Sequence, residues 1–417
     1  MKKLATLCTS LCLIVALVCV LSACGASQEA PRETPAEDSE LATTSTGVPS
    51  EPYTEVVSSS AYAYEELSDK EQTMYKKMKN ALLNHSPAIE DGLDGFTHEQ
   101  LSKISLAVMT DSPEIFWADG SGTTYTSELN GVKTVTKYEF NYTLDKNQRS
   151  TMQSKIDTVV DSFLSGIDPE MSEYEKVLAV YEYIIETTDY NMEAKEKTDR
   201  GASDAETEAC QTISSVFVDN KTVCAGYSKA TQYLLNKLDI FCTFVSGTAR
   251  GQGSHAWNLV KIEGDYYLLD TTWGNPISMD PAREKRMTYD YFCLTTAEFA
   301  KTHTPNADIS LPNCTATKYN YFVYNDLLLR SYDTVRIEEI IAETATAGAK
   351  GISIKFIDEN TADEAYTALF GDAKEIFSIL KSVASANASV DATRVMNSFD
   401  EDNGIIYIEL SYQNGTL

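Results

Sequence analysis

Histidine is the scarcest chemistry-bearing residue of this 417-residue chain, with four: His85, His98, His255 and His303. No cysteine or histidine pair has the spacing of a zinc site, so metal chemistry has little to work with and no cofactor is expected. Basic residues are also few, 34 Lys and Arg against 62 Asp and Glu, for a net charge of -28. So acidic a body is a poor partner for nucleic acid, whose phosphates need Lys and Arg. The charge instead favours solubility and cationic partners. Six cysteines remain beyond residue 23: Cys24, Cys210, Cys224, Cys242, Cys293 and Cys314. Their spacing is not that of a disulfide-dense scaffold. Apart from Cys24 and Cys224, they are open to two readings, disulfides or small buried hydrophobes. No internal repeat is visible.

The leading apolar run lies at the start. Lys2 and Lys3 form a short basic start, and an apolar run through Leu11 to Val20 follows, ending in Leu21-Ser22-Ala23-Cys24-Gly25. Charge, apolar stretch and small residues in that order read as an export signal, and the run is short for a membrane span. Leu-Ser-Ala-Cys resembles the bacterial lipobox. That resemblance implies that Cys24 becomes the lipidated first residue of the mature chain, on the outer side of a bacterial cell membrane. Losing residues 1–23 removes two lysines and no acidic residue, taking the net charge from -28 to -30. Residues 25–60 are rich in Ser, Thr, Pro, Glu and Ala without apolar period, and read as a disordered tether.

Three regions follow. Residues 61–165 read as an N-terminal α+β region. Ser68 to Glu71 forms a capping box, and Tyr75, Met78 and Leu82 follow at helical spacing. Val132 to Leu144 reads as a strand. Residues 166–318 read as the core that carries the chemistry. Ser172 and Glu175 make a second capping box, ahead of an apolar stripe of Val177, Leu178, Tyr181, Ile184 and Ile185. The polar stretch 191–209 reads as a surface loop. Residues 319–417 read as a C-terminal α+β lobe, with a half-buried strand at Ile352, Ile354 and Phe356, helical composition over 372–386 and a central strand from Ile405 to Leu410. Arg336, Glu338 and Glu339 read as a solvated helix face.

The chemistry concentrates in Cys224, His255 and Asp270. Cys224 precedes a helical pattern over 226–238, which places it at a helix N-terminus. Free N–H groups and the helix dipole there favour a thiolate and can stabilise an oxyanion. His255 opens an alternating segment that runs to Ile262. Glu263-Gly264-Asp265 supplies the turn, and Tyr266 to Thr272 returns. If the two-residue loop is Glu263-Gly264, Trp257 faces Asp270, and His255 lies diagonal to Asp270 on the same face. Diagonal neighbours are roughly 7–8 Å apart at the backbone, a gap that Asp and His side chains close. A thiol with a base, and a base with an orienting carboxylate, can perform acyl transfer. The plainer readings are a buried cysteine and a strand-end aspartate. Gln211 is a candidate oxyanion donor, or a loop residue. Gly226, Tyr227, Trp257 and Trp273 flank the three and are expected to line the substrate cleft, Gly226 by letting a substrate backbone approach closely.

Val223-Cys224-Ala225-Gly226-Tyr227, His255-Ala256-Trp257-Asn258 and Leu269-Asp270-Thr271-Thr272-Trp273 closely resemble the transglutaminase-like superfamily, a branch of the papain-like cysteine enzymes. The resemblance runs from the helix of Tyr181 to Trp273. It implies an α+β core in which a cysteine-bearing helix packs on an antiparallel sheet that carries His and Asp. It also implies a thioester acyl-enzyme formed from a peptide or glutamine amide. Water would resolve it in a peptidase or amidase, and an amine in a transglutaminase. Cell-wall peptide is one substrate class. Animal crosslinking members use calcium, but the chain has no Asp-x-Asp-x-Asp-Gly loop. The alternatives are an inactive binding or scaffold protein with the same core and, more distantly, a solute-binding lipoprotein.

Overall fold

Side-chain caps set where the main helices begin. Ser68 N–H donates to Glu71 Oε2 at 3.0 Å, at the start of the helix Asp69–Leu83. In the helix Glu173–Thr187 the box is reciprocal: Ser172 N–H donates to Glu175 Oε2 at 2.8 Å and Glu175 N–H to Ser172 Oγ at 3.3 Å. The apolar stripe of that helix is buried at Val177, Tyr181, Ile184 and Ile185, and partly buried at Leu178. The computed structural model describes residues 61–413 apart from 203, 252, 277–285 and 308–309. The export signal, Cys24 and the tether lie outside the described residues. Among those described, no helix is long and apolar enough to cross a membrane.

The N-terminal helices Asp69–Leu83 and His98–Asp111 pack beside a hairpin of strands Ala118–Leu129 and Val132–Tyr142. Its turn is Asn130-Gly131, both at positive φ (53° and 77°), as a two-residue turn between right-twisted strands requires. One hydrophobic core runs from Leu67 to Tyr319 and takes in residues on both sides of position 165. A second gathers Phe322 to Leu410 under a four-stranded sheet. In that sheet Ile405–Tyr412 is an interior strand, between Gly351–Phe356 and Val390–Asp400. The alternation of Ile354 and Phe356 with polar residues puts the two on its buried face.

Residues 191–209 correct the sequence reading. They hold two helices, Met192–Asp199 and Ala205–Ala209, rather than a loop. Asn191 caps the first through Ala194 N–H at 3.1 Å, and Asp204 the second through Thr207 N–H at 2.8 Å. Charged pairs one turn apart, Lys195 with Asp199 and Arg200 with Glu196, support a helix that has little apolar face to bury.

The α+β core that frames the three candidate residues is a four-stranded antiparallel sheet in the order Asp265–Leu269, Gly253–Ile262, Cys242–Ala249, His303–Pro305. The helix Cys224–Lys237 packs across it. Asn258 Nδ2 donates to Ser228 O on the helix at 2.9 Å, and Thr231 Oγ1 meets Thr271 Oγ1 at 2.9 Å. Ile262 pairs with Asp265, so the loop is the two residues Glu263-Gly264, at φ 48° and 95°. The register then runs through Asn258 opposite Leu269. Asp270 is the first residue past that pairing, and the same register continued by one step sets it toward Trp257.

Candidate active site

Cys224 is the first residue of its helix. The residue before it, Val223, is extended (φ -111°, ψ 179°) and offers no side-chain cap. The first-turn N–H groups therefore keep free hydrogen-bonding capacity beside the thiol. What holds the cysteine there is a two-residue parallel pairing of Lys221–Thr222 with Asp189–Tyr190, at the exit of the helix Glu173–Thr187. The Cys210 carbonyl adds to it, accepting from Thr222 Oγ1 at 2.9 Å.

His255 and Asp270 meet directly, with His255 Nε2 2.7 Å from Asp270 Oδ2 and both side chains fully buried. The second oxygen, Oδ1, accepts from Trp273 N–H at 3.1 Å. The other nitrogen of His255, Nδ1, is buried and makes no hydrogen bond among the described residues. It is the atom left for the Cys224 thiol, whose contact raises the ring's proton affinity. Burial opposes the charged ring, yet the charge and hydrogen bond of Asp270, together with Cys224, outweigh it and hold the pKa up at about 10. Burial likewise opposes the Asp270 carboxylate, but the two histidines beside it hold it below the usual carboxylate range.

A charged His255 in the folded protein has a consequence for stability. Its pKa is raised from 6.5 to about 10, so the linked stabilisation is fully present below pH 6.5 and is lost as pH rises through about 10. The difference in melting temperature between the protein and His255→Gln should narrow over that interval. A constant difference would mean that His255 is neutral in the folded state.

The second histidine at Asp270 is His303. Its Nε2 lies 3.1 Å from the same Oδ2. It belongs to none of the three motifs, and its only trace in the sequence is the scarcity of histidine. The edge strand His303–Pro305 brings it in by pairing with Cys242–Ala249. Tyr190 was also missed: its phenol is pushed well above the usual range by burial and then by the charge of nearby Cys224.

The residues expected to line a cleft fare differently. Gly226 is buried, and a Cβ there would stand 1.9 Å from Thr222 Oγ1, so packing by itself requires its missing side chain. Tyr227 is fully buried, its hydroxyl donating to Thr188 O at 2.8 Å and accepting from Asn275 Nδ2 at 2.7 Å. Trp257 is buried against Phe299 and His303. Of the four only Trp273 is partly exposed, and it lies edge-on to Tyr291 near the His255 ring. Gln211 is half-buried on the link between the helices Ala205–Ala209 and Ile213–Phe217. Among the described residues no hydrogen bond joins its side chain to Cys224, His255 or Asp270. Cys210, Cys242, Cys293 and Cys314 are buried free thiols.

His255, Asp270 and His303 place three donor atoms within 4.8 Å of one another, the residue types that zinc takes. The 2.7 Å contact tells against that use, because two atoms on one tetrahedral zinc at about 2.05 Å stand roughly 3.3 Å apart. The cluster is built as a hydrogen-bond network around one carboxylate.

Part of the chain is similar to known proteins. Residues 161–271, which include all three of Cys224, His255 and Asp270, match the transglutaminase-like superfamily. The kyphoscoliosis peptidase of Mus musculus is 27% identical over 176 residues, 39% of this chain and 25% of that protein. The Homo sapiens kyphoscoliosis peptidase is 27% identical over 169 residues, 37% of this chain and 24% of that protein. The chain thus spans about a quarter of the length of these curated relatives. A solved TGase shares 18% identity, with a TM-score of 0.28 over 39% of this chain and 47% of its own. The segment 161–271, which encloses the cysteine helix and the His and Asp strands, is thus a transglutaminase-like domain.

Proposed function

We propose that this protein is a cysteine acyl-transfer enzyme acting on peptide or glutamine amides outside the cytoplasm. The observation that carries the reading is the buried 2.7 Å contact between His255 and Asp270, with the remaining His255 nitrogen left to a thiol at an uncapped helix start. Asp270 holds the imidazole with Nε2–H toward itself, so that Nδ1 takes the thiol proton. The Cys224 sulfur attacks the amide carbonyl, and first-turn N–H groups stabilise the oxyanion. His255 then returns the proton to the departing amine, leaving a thioester on Cys224.

Water is the favoured second reactant. An extracytoplasmic site meets abundant water unless it excludes it. The peptidase names of the mouse and human relatives point the same way. Protein or peptide, cell-wall peptide among them, is the proposed substrate, and a lipid on Cys24 with the 25–60 tether holds the enzyme at the bacterial cell surface.

Two measurements test this. Iodoacetamide at mildly acidic pH should alkylate Cys224 at least about tenfold faster than in His255→Ala, because the imidazolium that stabilises the thiolate is then gone. Equal rates would end the activated-thiolate reading. Incubation of a glutamine-containing peptide with a tagged primary amine should release ammonia or cleaved peptide. Incorporation of the amine as the main product would reassign the enzyme to transamidation.

A further inference from the structure

We propose that His303 is a positioning residue for Asp270, a neutral second donor that extends the hydrogen-bond chain of Cys224, His255 and Asp270 by one residue. This rests on the acyl-transfer reading above and extends it to a residue outside the three motifs.

The hydrogen bonds determine the tautomer. Asp270 Oδ2 is an acceptor and lies 3.1 Å from His303 Nε2, so the ring carries its proton on Nε2. Thr302 Oγ1 lies 2.8 Å from Nδ1, much nearer than the 3.5 Å to Phe299 O, and we assign its hydroxyl proton to that nitrogen. Both ring nitrogens are then satisfied with the ring neutral. Burial, the largest influence on His303, also disfavours its charged form. One carboxylate oxygen thus receives two N–H groups, from His255 at 2.7 Å and His303 at 3.1 Å, while Trp273 N–H occupies the other oxygen.

The fold is shaped to bring this ring in. The edge strand His303–Pro305 lies so close to its neighbour that a Cβ on Gly247 would stand 2.2 Å from Thr304 O and 2.5 Å from Trp257 Cη2. The ring packs between Phe299, at 4.1 Å between centroids, and Trp273, at 4.5 Å, and its side chain is fully buried. Held this way, it fixes the carboxylate plane, so that Oδ2 stays on the line of His255 Nε2. His303 keeps its own proton throughout.

The test is the rate at which iodoacetamide alkylates Cys224 at mildly acidic pH, on the full chain, with melting temperature measured alongside. His303→Phe should slow alkylation by about tenfold, the scale of one hydrogen bond to a charged group. His303→Gln, whose amide offers an N–H at the place of Nε2, should recover to within about threefold of the unaltered protein. A His303→Phe protein that reacts at the unaltered rate overturns the proposal. So does a His303→Gln protein that falls as far as His303→Phe, since a ring needed only for packing would not be replaced by an amide. If His303→Phe does not fold, Thr302→Val carries the test. It keeps the ring but frees its tautomer, and about threefold slowing is expected, an unchanged rate being fatal. Failure of the underlying reading looks different: the unaltered protein would itself react no faster than His255→Ala, and the role of His303 would fall with it.

Discussion

Asp270→Asn is expected to lower turnover of an amide substrate by about ten-thousandfold while leaving the fold intact, the scale seen when the orienting carboxylate of a triad becomes an amide. The reason lies in the three donors around this side chain. Trp273 N–H points at Oδ1, and two histidine Nε2 atoms point at Oδ2. An amide can present its oxygen to only one of these sides. With the oxygen toward Trp273, the NH2 group faces His255 Nε2 and forces that nitrogen to accept. The ring proton then moves to Nδ1, the nitrogen that has to take the thiol proton. With the amide reversed, its NH2 group opposes the Trp273 N–H, two donors in a buried space. The opposed donors disfavour the second arrangement, and the first leaves a resting tautomer that is wrong for catalysis although the shape is preserved. Single-turnover measurement of thioester formation, with melting temperature as the control, checks this. A loss smaller than about tenfold would show that Asp270 is a structural strand end, since an orienting carboxylate contributes far more.

Gly226→Ala is expected to destabilise the protein by about 3 kcal/mol, at the upper end for overpacking a core, and to cut Cys224 reactivity by about a hundredfold. The new methyl would stand 1.9 Å from Thr222 Oγ1, 3.0 Å from Cys210 O and 3.1 Å from Ser215 Oγ. None of these can swing aside. Thr222 is β-branched and its hydroxyl is held to Cys210 O at 2.9 Å and to Ser215 Oγ at 2.6 Å. Relief requires the first turn of the helix to lift, and that turn carries Cys224. Chemical denaturation gives the stability change. A double substitution with Thr222→Ala removes the obstructing oxygen and should restore more stability than the two single changes predict by addition. Strict additivity would show that the clash is absorbed elsewhere, and a stable, fully reactive Gly226→Ala would return the glycine to the substrate cleft.

The parts of the site that were legible in the sequence share a property: each depends on neighbours close along the chain. The hairpin register follows from a two-residue turn and a side-chain period of two, which together bring His255 within reach of Asp270. The helix start at Cys224 follows from the apolar spacing downstream of it. The helices in 191–209 were missed because the usual signal, an apolar face, is weak there. Capping by Asn191 and Asp204 and pairing of charges carry them instead.

The purposes of Gly226, Tyr227 and Trp257 were legible only as far as their position beside the motifs. Whether such a residue faces a substrate or the core depends on what packs over it. Here Thr222, Asn275, Phe299 and His303 do so, from separate segments.

What the sequence by itself determined is the order Cys, His, Asp, with the local geometry of each. Turn length, strand period and helix spacing are short-range properties that steric rules impose on any chain carrying these residues. What only the tertiary structure decided is the company they keep. His303 lies 33 residues from Asp270 and reaches it through an edge strand paired on the far side of the sheet. Its scarcity made it countable, but nothing local indicates that pairing. The pairing arises from how the core closes around Trp257, Phe299 and Trp273, and long-range packing of that kind is settled by the whole fold at once.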